Sequence, residues 1–407
     1  MTGDTTIIIG GGPAGLFCAL QAAGDGRRVI VLEKKRSCGR KLLLAGSGQC
    51  NLTHDGEITD FFSHYGEHGA FLRPALLNFT NRNLIAFFEE HGLGMRAEPG
   101  GKVFPASRRS SDILAVLQRE CERQGVGIRC SEPVHHVARE DGDFIVQSDA
   151  NTMRADTLVI ATGGASYPIT GSSGDGYTLA GQLRHTITEI APALAAVYIR
   201  EYPFTDLAGI SFSDLSIALF RGGKKIRQHT GDLLLTHTGL SGPGILDLSR
   251  YIRPGDQLKV AFLPGMNQDA IRSTVTATIA ANGNRLVKTA LAELPLPERF
   301  AKKLVELAEI PPDLNGANLS KKARSTLITS VAEYPFTVEN LAGFDEAMVT
   351  RGGVSLAEIN PKTMESRLVP HLYCIGEVLD IDGDTGGYNL QAAFSTAALA
   401  ARRISGR

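Results

Sequence analysis

Thr5-Thr6-Ile7-Ile8-Ile9-Gly10-Gly11-Gly12-Pro13-Ala14-Gly15-Leu16 decides the fold. A β-branched run meets Gly-x-Gly-x-x-Gly at Gly10, Gly12 and Gly15, and an Ala/Leu-rich helical pattern opens at once. Gly10 permits a tight turn, Gly12 lets a diphosphate approach the backbone, and Gly15 lets helix and strand pack closely. The N-terminus of the following helix points unpaired N–H groups at the phosphates. The glycine pattern alone is weak evidence. Here a strand precedes it, a helix follows it, and Arg28-Val29-Ile30-Val31-Leu32-Glu33 adds a second strand. That strand ends in an acid at the spacing of a ribose-binding carboxylate. The stretch reads as a dinucleotide site in a doubly wound α/β domain.

Composition sets the outer bounds. The chain has 407 residues, 43% of them hydrophobic, enough for a large core and two or three modules. A net charge of −1 supplies no bulk basic field for nucleic acid or an anionic membrane. No stretch approaches the roughly 18 apolar residues of a membrane span, and the N-terminus runs straight into the first strand, so no signal peptide is expected. Six cysteines (Cys18, Cys38, Cys50, Cys121, Cys130 and Cys374) are scattered without a C-x-x-C. A reduced, cytoplasmic protein is expected.

After Glu33, the segment Lys34–Thr53 mixes bases and small residues, and it can cover a diphosphate with Arg40, Lys41 and backbone amides. Cys38 and Cys50 are too far apart for a redox disulfide beside a cofactor, so Cys50 is read as a small polarisable packing residue near the ligand. Residues 71–92 have helical spacing, and His64 and His68 read as surface histidines with no metal. Gly100–Pro105 resembles a hairpin edge. Ser111 or Asp112 can cap a helix over 113–124. Strands at 126–130, 134–139 and 143–147 suggest a small antiparallel meander. Asp156-Thr157-Leu158-Val159-Ile160-Ala161-Thr162-Gly163-Gly164 is then a second buried strand ending in a close-approach signal, beside the first glycine loop. Two such signals bracketing a meander fit FAD better than NAD, because the larger cofactor lies extended across the sheet. The glycine-rich loop 165–177 follows.

From Pro192 the pattern changes to short alternating segments at 195–199, 215–220, 225–228, 232–236 and 257–262, which read as a small barrel or sandwich. Residues 268–330 read as helices broken at Asn282–Asn284, Pro295 and Pro311-Pro312. The insert holds no second dinucleotide fingerprint. Its one cluster of reactive side chains, Thr236-His237-Thr238, offers His237 as a general acid, against a reading in which both Thr236 and His237 only satisfy a strand end. The first module returns in the stretch Leu372–Asp380, a last buried strand ending on Gly376. Gly386-Gly387-Tyr388-Asn389-Leu390-Gln391 opens a last helix, whose N-terminal N–H groups can stabilise an anionic flavin. Asp380 can accept from a ribityl hydroxyl.

Through Ile9–Gly15, Gly39–Thr53, Ala161–Gly176, Thr236–Gly244, Thr350–Val354 and Gly376–Gln391, the chain resembles the HI0933-like flavoproteins nearly end to end. The resemblance implies an α/β, Rossmann-type FAD-binding domain in two segments, with an inserted β-barrel and a helical subdomain capping the flavin. The expected division is 1–191 for the first part of that domain, 192–266 for the barrel, 267–330 for the helical subdomain, 331–345 for the insert's return strand and 346–407 for the second part. Expected FAD contacts are Gly10, Gly12, Pro13, Ala14, Gly15, Glu33, Lys34, Arg40, Lys41, Gly48, Cys50, Asn51, Val134, Thr162, Gly163, Gly164, Asp175, Gly376, Glu377, Asp380, Gly387, Tyr388, Asn389 and Leu390. His237 and Tyr388 are the catalytic candidates. Such loops usually read Gly-Arg-Cys-Asn, and here Gln49 stands for the arginine; Ala397 stands where the last helix usually has glycine.

The expected function is FAD-dependent hydride transfer between flavin N5 and a small organic substrate bound between the FAD domain and the insert. The FAD is held non-covalently and NAD(P)H is a transient electron donor. Family members act in unsaturated-ketone reduction and amine oxidation, and the loop Gly171–Gly176 leans the reading towards C=C chemistry. Two alternatives stand beside it. One is a flavin-dependent RNA-modifying enzyme, with Arg221, Lys224, Lys225 and Arg227, and Lys302, Lys303, Lys321, Lys322 and Arg324, as its place to look; the charge balance sets no nucleic acid as the expectation. The other is a non-enzymatic flavin-binding protein.

Overall fold

The computed structural model describes residues 4–24 and 26–406. They divide into two units, one built from residues up to 193 and from 344 onward, the other from residues 194–343. The first unit opens with β1 (Thr5–Ile9), α1 (Pro13–Ala22) and β2 (Arg28–Glu33), then β3 (Thr53–His54), α2 (Gly69–Asn78), α3 (Asn81–Glu90), β4 (Met95–Ala97), β5 (Lys102–Pro105) and α4 (Ser110–Arg123). It continues with β6 (Gly127–Cys130), β7 (Val134–Glu140), β8 (Asp143–Ser148), β9 (Thr152–Ala155), β10 (Thr157–Ile160), α5 (Asp175–Gln182) and β11 (Ala191–Ala193).

The second unit contains β12 (Val197–Ile199), β13 (Ser211–Arg221), β14 (Lys224–Leu235), β15 (Gly239–Ser241), α6 (Pro243–Ser249), β16 (Gln257–Ala261), α7 (Gln268–Ala281), α8 (Val287–Leu291), α9 (Glu298–Leu307), α10 (Lys321–Ala332) and β17 (Tyr334–Leu341). The chain then re-enters the first unit through β18 (Val349–Arg351), β19 (Leu372–Cys374) and α11 (Tyr388–Ile404).

The central sheet of the first unit is parallel and runs β19-β10-β1-β2-β6. Its inner strands are apolar on both faces, as strands covered on both sides must be: Ile7, Ile8, Val31, Leu158, Val159 and Ile160 are fully buried. α1 packs on α4 and α11, with Phe17 at its centre against Phe79, Phe87 and Phe394. β11 and β18 pair antiparallel where the chain leaves and re-enters the unit.

The second unit has its own core. Its strands close a barrel in the order β12-β15-β14-β13-β16-β17. The β13–β14 hairpin turns through Gly222 and Gly223, both at positive φ (55° and 78°), the two-residue turn that matches strand twist.

Several local readings change. Residues 71–92 are two helices, because Thr80 caps α3 reciprocally with Asn83 and so ends α2 first. The segment 102–105 is the central strand of β3-β5-β4 rather than an edge. α4 starts at Ser110, and Ser111 and Asp112 lie inside its first turn instead of capping it. The segment 126–130 leaves the meander: β6 joins the parallel sheet beside β2, and β7, β8 and β9 form the meander. The segments 225–228 and 232–236 merge into the single long strand β14.

His185 is buried, with Nε2 2.9 Å from the Ser366 hydroxyl, and burial holds its imidazole below the ordinary 6.5. The unfolded chain therefore takes up a proton that the folded chain resists as pH falls below about 6.5. The melting temperature is expected to fall from about pH 6.5 to pH 5, and His185→Gln should make that fall shallower in a series of thermal melts.

Candidate active site

The glycine turn after β1 is packed on two sides and open on the third. A Cβ on Gly10 would lie 2.4 Å from the Ala161 carbonyl oxygen, and one on Gly15 would lie 2.0 Å from the Gly10 oxygen. A Cβ on Gly12 would meet nothing within 4 Å. Gly12 is also the N-cap of α1, with no side chain satisfying the first N–H groups and Pro13 at the first turn. The bare helix end thus faces open space next to Gly12, with Ala14 buried behind it.

Glu33, at the end of β2, is drawn over this turn. Its Oε2 accepts from Gly11 N at 2.8 Å and its Oε1 from Lys35 N at 2.8 Å. Val134 begins β7, and Glu132 N donates to Glu33 O at 3.0 Å, so the meander starts beside the acid. Lys34 pairs with Asp175 at the start of α5 and with Ser173.

The loop after β2 is anchored by Gly39 N on Gly11 O at 2.9 Å. Arg40 is exposed. Lys41 Nζ pairs with both oxygens of Glu377, at 2.9 and 2.7 Å. Gly48 O accepts from Ser110 N. Gln49, in the place of the usual arginine, accepts from Arg108 Nη1 at 2.8 Å, so a guanidinium returns to this spot from another part of the chain. Cys50 is fully buried at φ 60°, and burial pushes its thiol up to about 12. It is neutral at physiological pH and packs, as its isolation in the sequence suggests. Asn51, with its carboxamide turned to satisfy both neighbours, donates to Thr53 O and accepts from Gly387 N, each at 3.1 Å.

Thr350 ties the remaining pieces together. Its fully buried hydroxyl oxygen accepts from Ala165 N at 2.8 Å and Ser166 N at 3.1 Å, and lies 3.0 Å from the Ser166 hydroxyl. Its own N–H donates to Glu377 Oε1 at 2.9 Å. A Cβ on Gly164 would sit 2.4 Å from the Thr350 Oγ1, and one on Gly176 would sit 1.9 Å from the Thr162 Oγ1. In the Thr162-Gly163-Gly164 turn, Gly163 takes a positive φ of 74° and Gly164 leaves room for the Thr350 hydroxyl. Gly376 N donates to Thr396 Oγ1 at 3.0 Å, and Asp380 N to Val354 O at 3.1 Å, both in the return segment.

Gly387 (φ 99°) is the N-cap of α11, again with no side-chain cap. A Cβ there would come within 2.6 Å of Thr53 backbone atoms. Asn389 fixes the approach to the helix: its Oδ1 accepts from Gly383 N and its Nδ2 donates to Gly383 O and Asp384 O. Leu390 is partly buried in the first turn. Tyr388 is 5% exposed, its ring stacked on His64 at 3.9 Å and His54 at 5.6 Å and edge-on to Phe61 at 5.0 Å.

The residues expected at one nucleotide site thus lie on neighbouring loops of the first unit, at the carboxyl ends of its parallel strands. Of the two catalytic candidates, Tyr388 is enclosed in an aromatic stack. His237 is exposed in the second unit, at the tip of a turn that Thr236 closes by accepting from Gly239 N. The residue missed is His64. Read as a surface histidine, it is half-buried, with Nδ1 2.9 Å from Asp384 Oδ2. Its partners are 320 residues away in sequence, and no local pattern announces them.

All six thiols are free, and Cys130 alone is not fully buried. A titration of the native protein with a thiol-reactive disulfide is expected to begin at Cys130 and to be lost in Cys130→Ser, with Cys18, Cys50, Cys121 and Cys374 appearing only on unfolding.

Residues 4–403 match the family described as HI0933-like protein Rossmann domain. The chain is 33% identical over 408 residues to the 3-dehydro-bile acid delta(4,6)-reductase of Clostridium scindens, covering 98% of each. It is 34% identical over 406 residues to the ribosomal RNA dihydrouridine synthase of Haemophilus influenzae, again with 98% of each covered. The 3-ketosteroid delta1-dehydrogenase of Sterolibacterium denitrificans superposes with a TM-score of 0.52 at 10% identity over 100% of both chains, a likeness of fold. Among the described residues no helix is long and apolar enough to cross a membrane. Matched along almost its whole length, the chain belongs to the HI0933-like Rossmann-domain family.

Proposed function

We propose that the protein binds FAD non-covalently in its first unit and adds hydrogen across a carbon–carbon double bond conjugated to a carbonyl. The observation that carries the cofactor is the cradle at Gly12: open space over a bare helix end, between two glycines whose surroundings leave no room for a side chain and an acid already held in place. Gly12, Pro13 and Ala14 would hold the diphosphate and Glu33 the adenosine ribose. Lys41, Glu377 and Asp380 would hold the middle of the cofactor, and Asn51 with the start of α11 its ring end. Bound and reduced, FAD supplies a hydride to an electron-poor carbon.

The chain's own groups prepare this chemistry. The bare N-terminus of α11 favours negative charge beside it. Lys41 neutralises Glu377, so two carboxylates, Glu377 and Asp380, can share one segment. His64, oriented through Nδ1 by Asp384, is an imidazole–carboxylate pair able to hold a proton close to that helix end. His237 remains the candidate acid of the second unit.

Two relatives support the reaction type. One is named for reducing delta(4,6) unsaturation and the other for making dihydrouridine, and both names describe hydrogen added to a C=C in conjugation. The substrate we favour is a small unsaturated ketone. A ribosomal RNA uridine is the second reading, supported by the dihydrouridine synthase relatives. Its candidate contacts, Lys224, Lys225 and Arg227, are exposed on the β13–β14 hairpin, whereas Arg221 is taken by Asp256.

The test is spectroscopic. The pure protein should carry or take up FAD, with bands near about 375 and 450 nm. Anaerobic NADPH should bleach the second band, and a 3-oxo steroid with conjugated double bonds should restore it. Bands restored only by a protein-free ribosomal RNA fragment would move the reading to RNA. A protein that binds no FAD overturns it, and bleaching by an amine substrate alone overturns the reductase assignment.

A further inference from the structure

We infer that Cys38 and Cys130 form a redox-active thiol pair, closed to a disulfide by hydrogen peroxide, and that closing it loosens the nucleotide end of the site. The first half stands on geometry alone; the second rests on the FAD reading above. The two cysteines are 92 residues apart in sequence, and their sulfurs lie 3.9 Å from each other. Neither is held there by accident of a mobile surface. Cys130 ends β6 and is the register partner of Glu33. Ser131 N and Glu132 N donate to Lys35 O and Glu33 O, which draws the loop after β2 against the end of β6. The residue after Cys38, Gly39, donates to Gly11 O.

Both backbones are therefore anchored, and what separates thiol from disulfide is a side-chain movement of about 2 Å, from the present contact to a bonded S–S distance. The pair is also asymmetric. Cys130 is partly exposed and Cys38 fully buried. Peroxide reaches Cys130 first: the O–O bond breaks, an S–O bond forms and one water leaves. The Cys38 sulfur then displaces the hydroxyl from Cys130; the S–S bond forms and a second water leaves. Two thiols and one peroxide give one disulfide and two waters, the two sulfurs each giving up one electron. Burial, and after it the neighbouring Cys130, Glu33 and Cys121, raise the Cys38 thiol, so Cys38 attacks from a small thiolate fraction.

The location gives the bond its consequence. The Cys38 sulfur now fills the space where a Cβ on Gly11 would lie, 2.6 Å from that position, beside the Glu33 side chain. Gly11 N is the donor that holds Glu33. Swinging this sulfur towards Cys130 removes its packing from the glycine turn and from the carboxylate that would hold the ribose.

The experiment treats the full chain, with FAD added, with hydrogen peroxide, blocks remaining thiols, and maps the peptides by mass. A Cys38–Cys130 linked peptide is expected, two hydrogens lighter than the reduced pair and reversed by dithiothreitol. It should be absent in Cys38→Ser and in Cys130→Ser. Thiols that stay free, or a Cys130 that proceeds only to sulfinic acid, overturn the pair. FAD affinity, read by flavin fluorescence, should weaken at least five-fold on oxidation in the native sequence and stay constant in Cys130→Ser. A cross-link that leaves the affinity unchanged overturns the coupling to the nucleotide site, and a failure of the reduced protein to bind FAD overturns the cofactor reading instead.

Discussion

Gly12→Val is expected to give a folded protein that no longer takes up FAD, while Gly15→Ala, a smaller change three residues away, is expected to damage the fold itself. The two glycines look alike in the sequence. In the structure a Cβ on Gly12 projects into open space from an extended backbone (φ −79°), so valine fits the empty protein. It then occupies the place through which a diphosphate must approach the start of α1, and an affinity loss of at least about 100-fold follows from excluding the phosphates from those N–H groups. A Cβ on Gly15 would lie 2.0 Å from the Gly10 oxygen, behind the turn. α1 must then move off β1, and overpacking of this kind costs about 1–3 kcal/mol or more. At roughly 2–4 °C per kcal/mol, the melting temperature of the first unit falls by several degrees. Melts without FAD, paired with fluorescence titrations, separate the cases. Equal destabilisation by both substitutions would mean that the space over Gly12 is not a ligand's.

Thr350→Val is the second large effect, and it lies outside the glycine turn. Valine keeps the volume and removes the one oxygen that accepts from both Ala165 N and Ser166 N in a fully buried position. Each orphaned donor costs about 1–3 kcal/mol. The loss should appear as a melting temperature lower by several degrees, and as protease cleavage within 165–177, because that loop loses its anchor. Thr350→Ser, which retains the acceptor, should restore most of both. A Val variant as resistant as the Ser variant would show that the loop is held by something other than this hydroxyl.

Much of the first unit was legible because its signals are local and their spacing is enforced by contact. Gly10, Gly12 and Gly15 are required by one turn, and Glu33 follows at the distance that one helix and one strand impose. The barrel's alternation was visible, yet the length of β14 was not: Gly231 reads as a break, but it sits in the strand because Gly244 of α6 packs there, 2.7 Å from where its Cβ would be. β6 was misassigned for a related reason. Gly127-Ile128-Arg129-Cys130 alternates like a meander strand, and only its pairing with β2 places it in the parallel sheet. The parts of the site that escaped the sequence are those made by distant partners. Thr350 serves a loop 185 residues earlier, and His64 pairs with Asp384. No periodicity carries such information; it exists only once the sheet is assembled.

The order of strands in that sheet also sets a timetable for synthesis. β10 sits between β1 and β19, so when the ribosome has passed residue 193 the edge of β10 that β19 will cover is open, and α1 still lacks α11 on its apolar face. The next stretch made, residues 194–343, is contiguous and carries its own core, so it can collapse without waiting for anything downstream. At about 5–20 residues per second, the unfinished nucleotide fold stands open for roughly 10–40 s before β19 and α11 arrive. During that interval the exposed edge of β10 is a place where a chaperone, or a second nascent chain, can pair.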